Sequence, residues 1–122
     1  MHLLEERTAA LNTLIAAGEG LKAIELFYAD QVTMQENDES PRVGKATCLA
    51  HEEQNLRKVK AFSAKLLNQA IDVRKMVVFS EWEITVNAIN GKVFRLTEVS
   101  VQHWENGWIV SEKFYYKEIK FF

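Results

Sequence analysis

The stretch MVVFSEWEITVNAINGKVFRLTEVSVQHWENGWIVSEKFYYK, residues 76–117, decides the fold. It holds three runs rich in β-branched and aromatic residues, Met76–Val86, Val93–Trp104 and Trp108–Lys117, and an Asn-Gly pair lies in each connection. The pairs Asn90-Gly91 and Asn106-Gly107 favour the positive φ angles that tight hairpin turns require. The stretch therefore predicts a three-stranded antiparallel meander that, when curved, forms the wall of a cavity.

The first seventy residues predict three helices and two further strands. Apolar residues recur at helical spacing over residues 2–17, and a second helix is expected over 19–29. A short strand over 30–36, a loop over 37–44, a third helix over 45–60 and a strand over 62–73 follow. Helices gathered on one face of an antiparallel sheet make an α+β sandwich in one domain.

The loop length at each Asn-Gly turn decides which side chains share a sheet face. A two-residue loop at Asn90-Gly91 places Trp82 opposite Val99, whereas a three-residue loop with a glycine bulge places it opposite Glu98. We prefer the bulged loops, because they sort bulky and aromatic residues onto one face. The same choice at the second turn pairs Trp104 with Trp108, Ser100 with Glu112 and Glu98 with Phe114. A slip of one residue would reverse the faces.

The preferred register points two carboxyl groups into an aromatic interior. Glu98 and Glu112 then lie among residues expected to line a binding pocket for an apolar molecule, namely Tyr28, Met34, Phe62, Trp82, Phe114 and Tyr116. A carboxyl in such surroundings must be paired, hydrogen-bonded or neutral through a raised pKa. A raised pKa suits a general acid or base near neutral pH. The alternative is that both carboxyls are structural and satisfied by neighbouring donors.

Other candidate groups are few. His51 is a candidate base, although a single helical histidine is commonly structural. Cys48 is the only cysteine, so no intrachain disulfide is expected. The three histidines show no metal-binding spacing, and no phosphate-binding or nucleophile motif is present, so we expect neither a metal nor a cofactor.

Composition argues for a soluble single domain. The chain has 122 residues, of which 48% are hydrophobic and 26% charged, and its net charge is −2. This balance gives no reason to expect nucleic acid or an anionic membrane as a partner. Neither a signal peptide nor a membrane span is indicated, so a cytoplasmic location is expected.

Several short motifs resemble those of one protein group. The motifs are Phe27-Tyr28-Ala29-Asp30, Gly44-Lys45-Ala46, Thr97-Glu98-Val99, Asn106-Gly107-Trp108-Ile109-Val110 and Phe114-Tyr115-Tyr116. Together they resemble the SnoaL-like, ketosteroid isomerase-like group of the nuclear transport factor 2-like (cystatin-like) superfamily. That superfamily includes isomerases, polyketide cyclases, dehydratases, epoxide hydrolases and non-catalytic binding domains, so the resemblance alone fixes no function.

The resemblance implies a cone-shaped α+β barrel over residues 1–122, with a curved antiparallel sheet wrapped around N-terminal and central helices. It also implies a homodimer through the outer sheet face, where Val99 and Val101 lie. In the isomerase and cyclase branches an acidic residue near the pocket mouth is the base, and Glu36 falls near that position. The second isomerase carboxyl falls near Ser100, with Glu98 one step along the same face, which departs from the isomerase pattern.

Two functional hypotheses follow from these observations. The first is a pocket protein that binds a hydrophobic small molecule and transfers protons on a carbonyl compound, with Glu36, Glu98 or His51 as acid or base. The second is a non-catalytic homodimeric binding or association module. In the second case the pocket is expected to be filled by Trp82, Phe94 and Phe114.

Overall fold

The first helices form where local signals in the sequence place them. The computed structural model describes residues 2–117, and α1 spans Leu3–Ala16. The His2 side chain caps its start by accepting a hydrogen bond from the Leu4 backbone N–H at 3.0 Å. Gly18, at φ +76°, ends the segment in a conformation that favours glycine. Helix α2 then spans Gly20–Phe27, and its buried residues face the same core as those of α1.

The remaining elements follow in the predicted order. They are β1 (Tyr28–Glu36), a two-residue strand β2 (Arg42–Val43), α3 (Lys45–Leu56), β3 (Val59–Asp72), β4 (Val77–Ala88), β5 (Val93–Glu105) and β6 (Trp108–Tyr115). The loop predicted over residues 37–44 therefore contains β2, which pairs antiparallel with β1. The third helix ends at Leu56, four residues before the predicted end, because the chain turns there into β3.

One part of the predicted sheet topology is wrong. The strands form a single open sheet in the order β2-β1-β6-β5-β4-β3, and β1 runs parallel to β6. The sheet is thus mixed, whereas we expected an antiparallel one. Hairpin turns fix the direction of β4, β5 and β6 relative to one another, but β1 is separated from β6 by most of the chain. No turn constrains its direction, since the chain between β1 and β6 contains α3 and the four strands β2 to β5.

The first hairpin has the predicted bulged register. Trp82 lies opposite Glu98 and Ile84 opposite Leu96. Only Gly91 of the Asn90-Gly91 pair has a positive φ, at +88°, as a three-residue loop with a glycine bulge requires. The prediction of this register is therefore confirmed.

The second hairpin differs from the prediction. Both Asn106 and Gly107 have positive φ, at +51° and +84°, so the loop has two residues and Glu105 pairs with Trp108. A bulge then follows, and Ser100 lies opposite Phe114 instead of Glu112. The net shift from the predicted register is two residues. Because side chains alternate with a period of two, the predicted face of β6 is unchanged.

The hydrophobic core fills one end of the space between the sheet and the helices. Trp104 and Ile109 lie here at the β5–β6 turn end, packed with Leu4, Leu11 and other apolar side chains from α1, α2, β1 and β4. The Trp104 ring meets Phe27 edge-on, with centroids 6.5 Å apart. Towards the other end of β4 and β5, Val86, Ala88, Phe94 and Leu96 line a cavity. The core therefore closes one end and leaves a cavity at the other.

Candidate functional site

A cavity of about 660 Å³ lies between the concave face of the sheet and the helices. All ten residues predicted as catalytic or substrate-binding line it: Tyr28, Met34, Glu36, His51, Phe62, Trp82, Glu98, Glu112, Phe114 and Tyr116. The aromatic residues of the wall do not fill the space. The expectation that Trp82, Phe94 and Phe114 plug the pocket, which the second hypothesis made, is therefore wrong.

The alternation along β5 arranges the sheet wall in levels. Gln102 pairs with Glu112 next to the core, Ser100 with Phe114 one level up, and Glu98 with Trp82 at the middle of the wall. Leu96 and Phe94 continue the series towards the opposite end of β5. Residues two apart on one strand face are separated by about 7 Å, so Glu98 lies about 13 Å along the backbone from Gln102.

The floor of the cavity, next to the core, is a buried hydrogen-bond network. The Tyr28 hydroxyl donates to Glu112 Oε1, and Gln102 Nε2 donates to Glu112 Oε2 at 2.9 Å. The Trp104 indole N–H donates to Gln102 Oε1 at 3.1 Å. All four side chains are almost fully excluded from solvent. The network thus links the Glu112 carboxyl of β6 by hydrogen bonds to side chains of β1 and β5.

Burial dominates the electrostatics of Glu112. Desolvation raises the pKa of Glu112 to about 7, although hydrogen bonds from Tyr28, Gln102 and Ser100 act in the opposite direction. Desolvation and the adjacent Glu112 carboxyl also raise the pKa of Tyr28 well above its usual value. The Tyr28 phenol is consequently neutral at physiological pH and remains a hydrogen-bond donor to Glu112.

Glu98 is the carboxyl at the middle of the sheet wall, and its surroundings differ from those of Glu112. Among residues 2–117, no side chain or backbone group donates a hydrogen bond to it. Burial, followed by the negative charges of Glu112, Glu36 and Glu52, raises the pKa of Glu98 to about 8. Since Glu98 is only partly buried and lines the cavity, a protonated carboxyl faces the open space at neutral pH.

Glu36 has a partner that the sequence analysis did not predict. Its carboxylate forms a salt bridge with Arg42 on the neighbouring strand β2, with Oε2 and Nη1 2.5 Å apart. Both side chains are mostly buried, with exposed fractions of 21% and 18%. A carboxylate held this closely by a guanidinium is less free to accept a substrate proton than an unpaired one.

Helix α3 contributes the polar groups of the opposite wall. His51 Nε2 lies 3.1 Å from Asn55 Nδ2, one helical turn away. Burial and the nearby Arg42 charge lower the pKa of His51, so its imidazole is neutral at pH 7. Burial raises the pKa of Glu52, which also lines the cavity. The fully buried Cys48 lies at the same wall, and burial raises the pKa of its thiol.

Arg42 and Gln102 are among the residues of the site that the sequence did not predict. Arg42 lies in a segment predicted as loop, and nothing in the local sequence indicates its pairing with Glu36. Gln102 could have been found, because it continues the alternation Glu98, Ser100, Gln102 along the inward face of β5. Across residues 2–117 no group of three His, Cys, Asp or Glu side chains is arranged to hold a metal ion.

Comparison with known proteins rests on structure. No protein-family model matches the sequence, and no curated protein matches it either. Solved structures do match. An NTF2-like protein of unknown function from Burkholderia pseudomallei superposes with a TM-score of 0.82 at 14% identity, over 96% of this chain and 92% of that chain.

Two further structures carry functional names. An inferred SnoaL-like polyketide cyclase from Mesorhizobium loti matches with a TM-score of 0.77 at 21% identity, over 95% of this chain and 100% of that one. An inferred isomerase from Bacillus subtilis matches with a TM-score of 0.77 at 16% identity, over 96% of this chain and 90% of that one. At such identities the likeness establishes the fold.

The solved structures that match this chain establish its fold class. The chain has the NTF2-like α+β fold shared with SnoaL-like proteins, as the resemblance in its sequence predicted. The three helices and the open six-stranded sheet formed by residues 2–117 match that architecture. None of the helices in the described part of the chain is long and apolar enough to cross a membrane.

Proposed function

We propose that this protein binds a hydrophobic carbonyl compound in the cavity and catalyses proton transfer on it. The cavity volume of about 660 Å³ lies within the usual range for small-molecule sites. Its walls are mainly apolar and aromatic, and a few polar groups converge on the space. This combination suits a mostly apolar molecule that carries one or two hydrogen-bonding groups.

The observation that carries the proposal is the unpartnered Glu98 carboxyl. With a pKa of about 8 it holds a proton at pH 7, and no protein group among residues 2–117 uses that proton. A ligand carbonyl oxygen placed there accepts the hydrogen bond, which stabilises the negative charge that develops when a neighbouring carbon loses a proton. Glu98 is therefore the general acid in this proposal.

The base is best assigned to His51, whose Nε2 gives up the hydrogen bond that it accepts from Asn55 Nδ2 when it takes a substrate proton. Its imidazole is neutral at pH 7, since burial and Arg42 lower its pKa, and it lines the cavity from α3 while Glu98 lines it from the sheet. Glu36 is the less suitable candidate because Arg42 already holds its carboxylate. An acid and a base on opposite walls can act on two atoms of one ligand.

Exchange of carbonyl α-hydrogens in D2O tests this proposal. Two bicyclic ketones, 2-tetralone and 1-indanone, serve as probes, and proton NMR follows the loss of the α-hydrogen signals. We expect the wild-type protein to accelerate exchange and Glu98→Gln to lose roughly 10²-fold or more of that rate. Glu105→Gln, which removes an exposed carboxylate from the same strand, is the control. Equal rates for wild type and Glu98→Gln would refute the role of Glu98.

We also propose that the protein is a homodimer through the outer sheet face. Four apolar side chains adjoin there across β4, β5 and β6: Phe79, Val99, Val101 and Tyr115. Phe79 and Tyr115 are each 46% exposed, which is high for large apolar residues on a sheet. A second copy of the same face is the occupant that symmetry favours. This proposal is independent of catalysis and suits a binding module equally well.

A further inference from the structure

In the hydrogen-bond network at the cavity floor, the chemistry of each group fixes which atom donates and which accepts. An indole N–H can only donate, so the atom of Gln102 that faces Trp104 must be the amide oxygen. The amide nitrogen of Gln102 then faces Glu112 and donates to Oε2. Trp104 therefore determines which end of the Gln102 amide reaches the carboxyl.

The donor and acceptor roles of the Tyr28 hydroxyl are fixed in the same way. The Tyr28 hydroxyl uses its only proton in the bond to Glu112 Oε1, which leaves lone pairs as its remaining hydrogen-bonding capacity. When Glu112 is ionised both of its oxygens accept hydrogen bonds, and its roughly four acceptor positions exceed the three donors Tyr28, Gln102 and Ser100. Tyr28 and Glu112 both line the cavity. The floor thus presents acceptors to a ligand, whereas Glu98 presents a donor at the middle of the wall.

We propose that Gln102, held by the Trp104 indole, is a positioning residue that makes the cavity floor a hydrogen-bond acceptor and so selects ligands with a hydroxyl group at that end. This inference rests on the proposed function and narrows the ligand to a hydroxy-carbonyl compound. Its hydroxyl donates to Tyr28 or Glu112 at the floor. Its carbonyl, farther from the floor, accepts from Glu98.

The titration of Glu112 tests the positioning role directly. Carbon-13 NMR of protein labelled at glutamate carboxyls follows each group, with Glu112→Gln identifying the signal. In Gln102→Met a donor to Glu112 is lost, and in Trp104→Phe the amide is free to reverse and accept a proton from the carboxyl. In both variants we expect the pKa of Glu112 to rise by about one unit.

A packing control separates this role from a structural one. Phe27 contacts the Trp104 ring but donates no hydrogen bond, and it is not among the residues that line the cavity. Phe27→Leu therefore loosens the surroundings of Trp104 while the indole N–H stays in place. We expect its Glu112 titration to match that of wild type. An unchanged Glu112 pKa in folded Gln102→Met, or an equal shift in Phe27→Leu, would overturn the inference.

A pair of ligand probes tests the predicted selectivity. Isothermal titration calorimetry compares 2-naphthol with 2-methoxynaphthalene, which have the same ring system but differ in the hydrogen-bond donor. We expect wild type to bind 2-naphthol about tenfold more tightly, and Gln102→Met to reduce that preference to about threefold. Equal affinities would overturn the inference and leave the proposed function intact. Binding of neither probe would count against the proposed pocket function, and the Glu112 titration would still test the positioning role of Gln102 without any ligand.

Discussion

Replacing Glu98 by glutamine is expected to change how the stability of the protein depends on pH. Burial and neighbouring carboxyls raise the pKa of Glu98 from 4.5 to about 8 in the folded state. Between these two values the folded protein retains a proton that the unfolded chain has released. The free energy of unfolding therefore falls as the pH rises through this window, and the penalty is absent below it. Glutamine has no such proton and carries no such penalty.

The size of the effect follows from the difference in pKa. A gap of about 3.5 units, at about 1.36 kcal/mol per unit, corresponds to about 4 to 5 kcal/mol when Glu98 is fully ionised. The Glu98 side chain is partly exposed to the cavity, so water screens its charge and reduces the penalty. We therefore expect the free energy of unfolding of Glu98→Gln to increase by about 2 kcal/mol relative to that of wild type as the pH rises from 5 to 9.

Urea denaturation of both proteins at several pH values measures this gain. With an m-value of about 2 kcal/mol/M, a gain of 2 kcal/mol moves the urea midpoint by roughly 1 M. The difference between the two midpoints at pH 5 is the reference, because the folded-state carboxyl is protonated there. The control Glu105→Gln removes an exposed carboxylate from the same strand. We expect its urea midpoint to change with pH in the same way as that of wild type.

Two results would refute the reasoning about Glu98. Parallel midpoint curves for wild type and Glu98→Gln would mean that the carboxyl is solvated as well as in the unfolded chain. A variant that loses stability relative to wild type as the pH rises would mean that the Glu98 carboxylate is stabilised by a donor. Either outcome would remove the protonated acid from the proposed mechanism.

Two further predictions concern α3 and the outer sheet face. Arg42→Gln removes a charge that lowers the pKa of His51, so proton NMR of the imidazole should show that pKa rising, and a fall would contradict the assignment. Phe79→Lys places a charge in the outer apolar patch and is expected to convert a dimer to a monomer in sedimentation equilibrium. Ile89→Lys, at an exposed position of the first hairpin loop, should leave the association state unchanged, and a dimeric Phe79→Lys would exclude this interface.

The sequence predicted most of the sheet wall because its signals are local. Asn90-Gly91 and Asn106-Gly107 mark the two hairpins, and a period of two assigns each side chain to a face. The inward orientation of Glu98 and Glu112 followed from these rules. It survived the error in the second register, since that error was an even number of residues. The sheet face on which a side chain lies is thus easier to predict from sequence than the residue opposite it on the next strand.

The parts that sequence reasoning missed depend on contacts between distant segments. The parallel pairing of β1 with β6 brings Tyr28 within hydrogen-bonding distance of Glu112, 84 positions along the chain. No periodicity in either strand encodes that contact. The salt bridge between Glu36 and Arg42 likewise requires the two-residue strand β2, which is too short to give a pattern. Roles assigned to Glu36 from sequence alone could not include this partner.

The contrast between the inward-facing carboxyls of β5 and β6, Glu98 and Glu112, gives the strongest reason to place function at Glu98. Glu112 is more deeply buried, yet hydrogen bonds from Tyr28, Gln102 and Ser100 offset part of the cost of its charge. Glu98 has no such donors among residues 2–117, and its burial lowers the stability of the protein above pH 5. A structural carboxyl would be expected to have partners or to be replaced by an apolar side chain at no loss. A carboxyl that faces a cavity without a partner is instead available to a ligand, which can supply the missing hydrogen bond.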